Sequence, residues 1–373
     1  KVNILITTGI YPPDVGGPAR FVPLIADKLS IKNNVNVLTL SENLGSSEKV
    51  NYKVTRIIRK QNKIIRFLKS ILLIIKIGKG SDIIFINGLW FEAYIANLFI
   101  RKNTIRKIVG DPVWEKYYSQ YKIDDEFDEF QDKKYNLKIE LYKFVRNLSI
   151  KSIDTIVVPS NHLLKFIKNI GFSGNLIKIN NGTKKSKSSE KNFDKNIFLI
   201  VSRLVRQKNI DLVINSLDYL SRDNSFKFHL NIIGDGPEYE KIKNLIENLN
   251  LGDSINLIGA KFGPELEEYY KSSNYLLQLS SYEGMPHSIL EAMNYGLIVI
   301  TSNFGGNNEL IGNNDFGYIV ENLEIEQIVK SINTSVNSSN NQTMSSKGKN
   351  LVNEEYNIEL TTQEYVEIIS NNE

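Results

Sequence analysis

Residues 275–301 read YLLQLSSYEGMPHSILEAMNYGLIVIT. The two short apolar runs at 275–279 and 297–301 are typical of buried strands. Between them, Pro286 is favoured in the first turn of a helix, and Gly296 is favoured just after a helix ends. The stretch therefore predicts a strand–helix–strand unit, which is the repeating element of a parallel sheet.

Short apolar runs recur along the chain and alternate with longer segments of helical period. The predicted strands are Val2–Thr7, Val35–Leu40, Ile83–Ile86, Arg106–Val109, Ile153–Pro159, Ile197–Ser202, Phe228–Ile233, Ile255–Ile258, Tyr275–Leu279 and Leu297–Thr301. This alternation predicts an α/β fold with parallel sheets and right-handed crossovers. Because 373 residues exceed what one core usually serves, we expect two doubly wound domains.

The polar composition of residues 183–196, without an apolar period, predicts a linker. We therefore expect an N-terminal domain at 1–182 and a C-terminal domain at 197–350. After a second polar stretch, Leu351–Ile369 has the pattern of a last helix within a final segment at 351–373. Two such domains facing each other leave a cleft at the carboxyl ends of the strands, where open α/β sheets bind ligands.

Composition excludes several classes of function. The chain has no Cys, which removes disulfides, zinc–thiolate sites and cysteine nucleophiles, and its net charge of +4 is too small to indicate nucleic acid binding. No apolar run is long enough to cross a bilayer, and the first residues begin a strand rather than a signal peptide, so we expect a cytoplasmic location. With three histidines and no Asp-x-Asp pair after a strand, we expect neither a metal nor a cofactor.

Two carboxylates, Glu283 and Glu291, stand eight residues apart around the start of the predicted helix. Between them, the free backbone N–H groups of a helix N-terminus favour a bound anion. The layout suits a ligand that is part anion and part polyol, with phosphates on the N–H groups and hydroxyls on the carboxylates. A nucleotide sugar is such a ligand.

Two cations, Arg203 and Lys208, follow the first strand of the second half. The arginine offers a fork and the lysine a compact charge to phosphate oxygens, which suits a diphosphate leaving group. A solvated loop is the alternative.

Glycines follow several predicted strands and allow backbone to approach a phosphate without a Cβ clash. They lie in the pairs Gly16-Gly17, Gly234–Gly236 and Gly305-Gly306. Ordinary turn chemistry is the alternative for each, and it is favoured for the Asp-Gly and Gly-Pro steps of the second group.

Residues 53–79 contain nine Lys or Arg and no acidic residue. Four cations recur at helical spacing, namely Arg59, Lys63, Arg66 and Lys69, and six apolar residues fill the other side, namely Ile64, Phe67, Leu68, Ile71, Leu72 and Ile75. A basic amphipathic helix can lie on anionic lipid. The alternative is a helix packed on the sheet with a solvated outer face, and the lack of acids slightly favours the membrane.

Asp111 follows a strand and precedes Pro112, with Trp114 nearby. A carboxylate at the carboxyl end of a strand is a candidate for contact with a sugar or an acceptor. The alternative is a loop with the indole packed over it. The acidic run at 124–129 is predicted to be a solvated, loop-like face.

As a set, these motifs resemble the retaining glycosyltransferases of family 4, in the two-domain class called GT-B. The strongest match is Glu283 through Glu291, which is similar to that family's Glu-x7-Glu signature. The other matches, in order along the chain, are Gly16-Gly17, Asn181-Gly182, Ser202-Arg203-Leu204, Lys208-Asn209 and Gly234–Pro237. The resemblance implies two Rossmann-like domains facing a central cleft, with a C-terminal helix that crosses back to the N-terminal domain.

The resemblance also implies roles for single residues. Arg203 and Lys208 would bind the donor diphosphate, Glu291 the ribose and Glu283 the transferred sugar. The full set of implied donor contacts is Gly16, Gly17, Arg203, Lys208, Gly234, Ile258, Gly259, Glu283, Gly284, Met285, Pro286, Ser288, Glu291, Gly305 and Gly306. Many relatives have a first-domain histidine near the sugar, whereas no histidine precedes His162 here, and we hypothesise that Asp111 takes part of that role.

The implied activity is metal-independent transfer of a hexose-type sugar, with retention, from a nucleotide-diphosphate donor. UDP is the expected nucleotide by family frequency, and the acceptor is a saccharide or a lipid-linked saccharide in surface polysaccharide synthesis. Catalysis would depend on Glu283, Arg203, Lys208 and Asp111. The alternatives are a nucleotide-sugar epimerase of the same architecture, a non-catalytic sugar-binding subunit, and, for location, peripheral attachment to the inner face of the plasma membrane.

Overall fold

The computed structural model describes residues 1–14, 16–42, 49–121, 125–186, 190–223, 225–312 and 314–371. Part of the predicted linker, 187–189, and Asp124 of the acidic run lie outside the described residues. The chain divides into two compact units. Unit 1 consists of Lys1–Val109, Tyr135–Asn180 and Glu359–Glu373, and unit 2 consists of Gly110–Lys134 and Asn181–Ile358.

Strands and helices alternate along most of the chain. In chain order the strands are β1 (Asn3–Thr8), β2 (Asn34–Ser41), β3 (Lys53–Ile58), β4 (Ile83–Ile86), β5 (Asn103–Lys107), β6 (Thr155–Val158), β7 (Asn175–Lys178), β8 (Ile197–Val201), β9 (His229–Ile233), β10 (Ile255–Gly259), β11 (Tyr275–Gln278), β12 (Ile298–Ser302) and β13 (Gly317–Val320). The helices are α1 (Gly17–Ser30), α2 (Lys63–Gly78), α3 (Trp90–Ile100), α4 (Pro112–Tyr121), α5 (Phe127–Asp132), α6 (Leu137–Lys151), α7 (Asn161–Asn169), α8 (Ile210–Ser221), α9 (Tyr239–Asn248), α10 (Gly263–Ser272), α11 (His287–Asn294), α12 (Asn307–Ile311), α13 (Ile325–Val336), α14 (Asn341–Glu355) and α15 (Ile358–Asn371). A 3-10 turn covers Arg206–Lys208.

Unit 1 is built on a parallel sheet in the order β3-β2-β1-β4-β5-β6-β7. Its central strands are continuously apolar because helices cover both faces, as β4 shows with all four residues buried. The last helix, α15, belongs to this core, since the Tyr365 ring lies 4.8 Å from the Phe21 ring and 5.9 Å from the Phe85 ring. The C-terminal segment therefore completes unit 1.

Unit 2 is built on a second parallel sheet in the order β10-β9-β8-β11-β12-β13. The strand order reverses direction at β8, next to β11, which makes that point the topological switch where open α/β sheets bind ligands. The loops after β8 and β11 therefore meet at the same edge of the sheet. The predicted α/β class with two Rossmann-like sheets is confirmed.

Residues 110–134 pack within unit 2, which differs from the predicted N-terminal domain at 1–182. The Phe127 and Tyr282 rings stack at 4.0 Å, and the Trp114 ring lies 5.5 Å from Tyr282. The hydroxyls of Tyr118 and Ser281 are 2.8 Å apart. These contacts attach α4 and α5 to the loop after β11. The acidic run predicted at 124–129 is partly the helix α5 rather than a loop, and Phe127 is buried, whereas Glu126, Asp128 and Glu129 are exposed as expected of a solvated face.

The C-terminal region also differs from the sequence prediction. The single helix expected at Leu351–Ile369 is two helices, α14 and α15, because the chain turns at Tyr356-Asn357. Asn357 pairs there with Thr183 in an isolated parallel bridge. No helix among the described residues is long and apolar enough to cross a membrane.

Candidate functional site

The loop between β11 and α11 holds the side chain of Glu283 in one position. Its Oε1 pairs with Lys208 Nζ and accepts hydrogen bonds from Gln278 Nε2 at 3.0 Å and Ser280 Oγ at 2.8 Å. The side chains of Glu283 and Lys208 are 15% and 14% exposed. This ion pair is mostly shielded from water, yet each partner keeps an opening to solvent.

The loop after β8 is tied to the loop after β11, which explains how Lys208 reaches Glu283. Asn209 Nδ2 donates to Leu279 O at 2.7 Å and to Ser281 Oγ at 2.9 Å. The Ser281 N–H donates to Gln207 O at 2.8 Å. The motif of Lys208 and the motif of Glu283, which were predicted separately, are therefore joined by hydrogen bonds into one site within unit 2.

The guanidinium of Arg203 is exposed beside this constellation. Within the part of the chain that the structure describes, its side chain forms neither a hydrogen bond nor an ion pair. Its positive charge lowers the pKa of Glu115, although desolvation and the charge of Asp111 raise that pKa by more. An exposed fork of donors next to a second cation is the arrangement that suits phosphate oxygens.

The predicted helix is present as α11, but it begins directly after Pro286, which is its N-cap rather than a residue of the first turn. Glu291 is its fifth residue, one turn inside the helix, and its Oε2 accepts a hydrogen bond from the Tyr270 hydroxyl at 2.8 Å. Ahead of the helix, Asn181 Nδ2 donates to Met285 O at 2.8 Å and orients the loop. Ser288 Oγ bonds to Gln278 Oε1, so Gln278 links the first turn of the helix to Glu283.

Gly305 and Gly306 pack on the backbone of Glu283. Gly305 has φ +65°, and a Cβ there would lie 2.0 Å from Glu283 O, so only glycine fits. The Gly306 N–H donates to the same carbonyl at 2.8 Å. That N–H is used inside the protein, which corrects the expectation that it faces a donor phosphate. The pair instead supports the loop that carries Glu283.

The structure explains why residue 234 is a glycine by its role in a tight turn, which is the alternative that the sequence favoured. A Cβ on Gly234 would lie 1.8 Å from Ser202 O, so the turn after β9 packs directly on the loop of Arg203. Its N–H donates to Gly259 O at 3.0 Å. Gly259, at the end of β10 after Ile258, has φ +84° and no heavy atom within 4 Å of a Cβ position. This leaves room for a ligand beside Ile258, and the contact with a base stays a prediction.

Asp111 is completely buried. Its Oδ1 accepts the Val113 N–H at 3.0 Å and its Oδ2 accepts Gln131 Nε2 at 3.1 Å. These are the contacts of a residue that caps the N-terminus of α4, which begins at Pro112. A substrate contact through this carboxylate is at odds with its burial, so the structure favours a positioning role over the predicted one.

Glu115, one turn into α4, was missed by the sequence prediction. Solvent reaches the side chain, and its Oε1 lies near Gly110, only 2.6 Å from where a Cβ on that glycine would be. Desolvation by the surrounding protein, and then the charge of Asp111, raise the pKa of Glu115 to about 7 against the opposing effect of Lys208. The Asp-Pro step is itself a helix-start signal and could have indicated that Glu115 faces the same way as Asp111.

Gly16 and Gly17 lie in unit 1. Gly16 has φ +144° and precedes α1, with Pro18 in the first turn of the helix. A Cβ on Gly16 would come within 2.7 Å of Ile10 Cδ1, so close packing also favours glycine there. A helix N-terminus of this kind attracts anions, and its contact with a phosphate stays a prediction.

The basic segment is arranged differently from the prediction. Arg59 lies in the loop before α2 and pairs with Asp14, so it is not on the helix. Arg66 Nη1 turns back to Arg59 O at 3.0 Å, whereas Lys63 and Lys69 are exposed. Three residues of the predicted apolar side are exposed, namely Ile64, Leu68 and Leu72, so the alternative of an apolar side packed wholly on the sheet does not hold. Arg59 and Arg66 are thus partly occupied by contacts within the protein, and the membrane contact of the four cations stays a prediction.

Comparison with known proteins shows which family the second half of the chain resembles. Residues 181–351 match the family model described as "Glycosyl transferases group 1". An uncharacterized glycosyltransferase of Haemophilus influenzae is 29% identical over 199 residues, which are 53% of this chain and 56% of that protein. A UDP-Gal:alpha-D-GlcNAc-diphosphoundecaprenol alpha-1,3-galactosyltransferase of Escherichia coli is 31% identical over 156 residues, which are 41% of this chain and 40% of that protein.

The chain thus spans only about half the length of these curated relatives. Among solved structures, sucrose-phosphate synthase of Thermosynechococcus elongatus superposes with a TM-score of 0.81. The match covers 99% of this chain and 98% of that one at 18% identity, so it is a likeness of fold alone.

Proposed function

We propose that this chain, whose residues 181–351 match the group 1 glycosyltransferase model, is a glycosyltransferase that transfers a hexose-type sugar from UDP to an acceptor with retained anomeric configuration. We propose as acceptor a saccharide or a lipid-linked saccharide of a surface polysaccharide. The name of the Escherichia coli relative supports both parts, since it combines a UDP-sugar donor with a diphospholipid-linked acceptor.

The observation that carries the proposal is the pairing of Lys208 with Glu283 beside the exposed Arg203. Without a ligand, the lysine neutralises the carboxylate. A donor diphosphate brings two competing negative charges, which the ammonium and the guanidinium then share. As the bond from sugar to phosphate breaks, negative charge grows on the phosphate, so the two cations stabilise the transition state more than the bound donor.

The carboxylates would hold the carbohydrate part of the donor. When Lys208 turns to the phosphate, Glu283 keeps its bonds from Gln278 and Ser280 and gains the capacity to accept a sugar hydroxyl. Glu291, whose Oε2 accepts a hydrogen bond from the Tyr270 hydroxyl, would accept the ribose hydroxyls. In a retaining transfer the departing phosphate oxygen can take the acceptor proton, so positioning supplies much of the catalysis.

We further propose that Glu115, not Asp111, is the additional carboxylate that faces the sugar or the acceptor. Asp111 is buried and holds the start of α4, whereas Glu115 is exposed to solvent on the same helix. Asp111 would then position the start of α4, and the contact with the sugar or the acceptor that was predicted for it would pass to Glu115.

The test is transfer by the purified chain with a panel of UDP-sugars, measured as UDP release with and without saccharide or lipid-linked acceptors. Lys208→Met and Glu283→Gln should each lower kcat by about 100-fold, the usual loss when one group that stabilises transition-state charge is removed. Lys241→Met is the matched control, because this lysine is paired with Asp211 on the exposed surface of the same unit.

Three results would contradict the proposal. Conversion of the donor without any acceptor would indicate an epimerase. Tight UDP binding with no turnover on any acceptor would indicate a sugar-binding subunit. Equal activity of Lys208→Met and Lys241→Met would remove the proposed role of the ion pair.

A further inference from the structure

The helix α6 of unit 1 has the reverse of the usual arrangement on a surface helix: its apolar side chains face solvent and two of its charged side chains are buried. Its outward stripe is apolar, with Leu137 86%, Leu141 58%, Phe144 59% and Leu148 40% exposed. These positions follow the spacing of one helix face. A surface helix of a globular domain normally packs such an apolar stripe on the core of the domain. The stripe of α6 faces away from the core of unit 1, which indicates a binding partner outside the unit.

The opposite face of α6 buries two cations. Lys143 and Arg146 are 6% and 3% exposed. Lys143 pairs with Glu140 at 3.6 Å, and the Arg146 guanidinium lies over the Phe166 ring at 5.2 Å. Because the buried charges have partners, the inverted orientation is stabilised by specific contacts.

The apolar stripe continues onto two neighbouring helices. Arg106 connects α3 to α6, since its guanidinium lies 5.0 Å from the Trp90 ring and donates to Ser149 Oγ at 3.2 Å. α2 packs on α3 through the Phe67 and Phe91 rings, 5.6 Å apart. Eleven of the seventeen exposed large apolar residues found in the described chain lie on these three helices, namely Ile64, Ile65, Leu68, Leu72, Leu98, Phe99, Leu137, Leu141, Tyr142, Phe144 and Leu148. We call this set the outer apolar face.

The charge around the outer apolar face has one sign. Exposed lysines accompany it on α2 and α6, namely Lys63, Lys69, Lys76, Lys138 and Lys151. The acidic residues of α2, α3 and α6 are Glu92 and Glu140, and both are half-buried. The face therefore combines apolar side chains, which favour leaving water, with cations that attract negative charge.

We infer that the outer apolar face docks on an anionic lipid surface, with the apolar side chains inserted among the acyl chains and the lysines at the phosphate headgroups. This combination is what interfacial helices use to bind anionic membranes. A second copy of the chain is a poorer occupant, because a two-fold interface would set this basic face against itself. The inference does not depend on the proposed function, since vesicle binding is measured without a donor or an acceptor.

The experiment is flotation of the full chain with vesicles of phosphatidylcholine alone and of phosphatidylcholine mixed with phosphatidylglycerol. The chain should float with the mixed vesicles only, and NaCl should release it. Lys63→Gln combined with Lys69→Gln should weaken binding by about fivefold per lysine removed. The matched control is Lys243→Gln with Lys330→Gln, two exposed lysines of unit 2.

The apolar part is tested by Leu141→Gln with Phe144→Gln, which should reduce vesicle binding at least about tenfold. Its matched control is Ile31→Gln with Leu360→Gln, two exposed apolar residues elsewhere on unit 1. All four positions are exposed, so thermal melting should be unchanged. No flotation with anionic vesicles, or equal flotation with both kinds, would overturn the inference. So would a wild-type dimer in sedimentation that Leu141→Gln with Phe144→Gln turns into a monomer.

Discussion

Replacing Lys208 by Met should both destabilise unit 2 and weaken donor binding, because one ammonium group serves both. The ammonium and the Glu283 carboxylate are only 14% and 15% exposed, so the variant strands a negative charge in a largely dry site. Removing one partner of a buried pair typically costs 3–5 kcal/mol, and the two neutral donors that remain reduce this to about 2–3 kcal/mol here. Glu115 adds to the cost where it is ionised, because its charge and that of Glu283 repel each other.

A double-mutant cycle separates structure from function. Lys208→Met with Glu283→Gln removes both charges, so it should be within about 1 kcal/mol of the wild type and show a coupling of about 2 kcal/mol. Its UDP binding should nevertheless stay as weak as that of Lys208→Met, because the phosphate ligand is still missing. Recovery of stability without recovery of binding is the signature of a lysine with both roles.

The chain offers a convenient reporter for this cycle. It has two tryptophans, and Trp114 packs on Tyr282 beside Glu283, so a Trp90→Phe background leaves fluorescence from unit 2 alone. Urea unfolding would give the stabilities, and isothermal titration calorimetry the UDP affinity. Lys241→Met, which breaks an exposed pair, should change stability by less than about 1 kcal/mol. If Lys208→Met behaves like this control, or if the double variant is as unstable as the single one, the reasoning is refuted.

Three further predictions concern charged groups. Arg203→Ala should weaken UDP binding by about 10-fold to 100-fold in calorimetry while leaving the unfolding free energy within about 0.5 kcal/mol, because the guanidinium is exposed; a large loss of stability would contradict this. Glu115→Gln should match the wild type in kcat/KM at pH 5.5, where a carboxyl of pKa about 7 is protonated, and fall behind as pH rises above 7; parallel pH profiles would exclude a role for its charge. Burial lowers the pKa of Lys107 to about 7, so the buried charge destabilises the folded state fully below pH 7 and progressively less as the pH rises toward 10.5. Lys107→Met should therefore raise the melting temperature more at pH 6 than at pH 9. An equal gain at both pH values would contradict the assignment.

The sequence indicates the central strands of both sheets but misses β3, β7 and β13. All three are edge strands. A central parallel strand is covered on both faces and must be apolar throughout, whereas an edge strand keeps polar residues, such as Lys53 and Arg56 in β3. Periodicity therefore identifies the core of a doubly wound sheet more readily than its margins.

Within the site, the motif at 283–291 is visible because its signals are local. A helix start, a glycine after the helix end and two carboxylates at fixed spacing lie in one short stretch. Glu115 is different, because its place depends on Phe127 and Trp114 packing on Tyr282, more than 150 residues away in the chain. No local pattern encodes that contact, so the sequence assigned 110–134 to the other domain.

The basic helix shows a second limit. Periodicity predicts an amphipathic helix from Arg59 to Ile75, and α2 occupies Lys63–Gly78. The pattern cannot say which apolar residues face the sheet, since Ile71 and Ile74 are buried while Ile64 and Leu72 are exposed. The apolar face of the helix is wider than the part that the rest of unit 1 covers. Which apolar residues stay exposed is seen only in the three-dimensional structure.

A crystal structure of the chain with a UDP-sugar is the most direct measurement of the central claim. The diphosphate should lie within hydrogen-bond distance of Lys208 Nζ and the Arg203 guanidinium, with a sugar hydroxyl on Glu283 and a ribose hydroxyl on Glu291. A diphosphate bound elsewhere, with the pair of Lys208 and Glu283 unchanged, would contradict it.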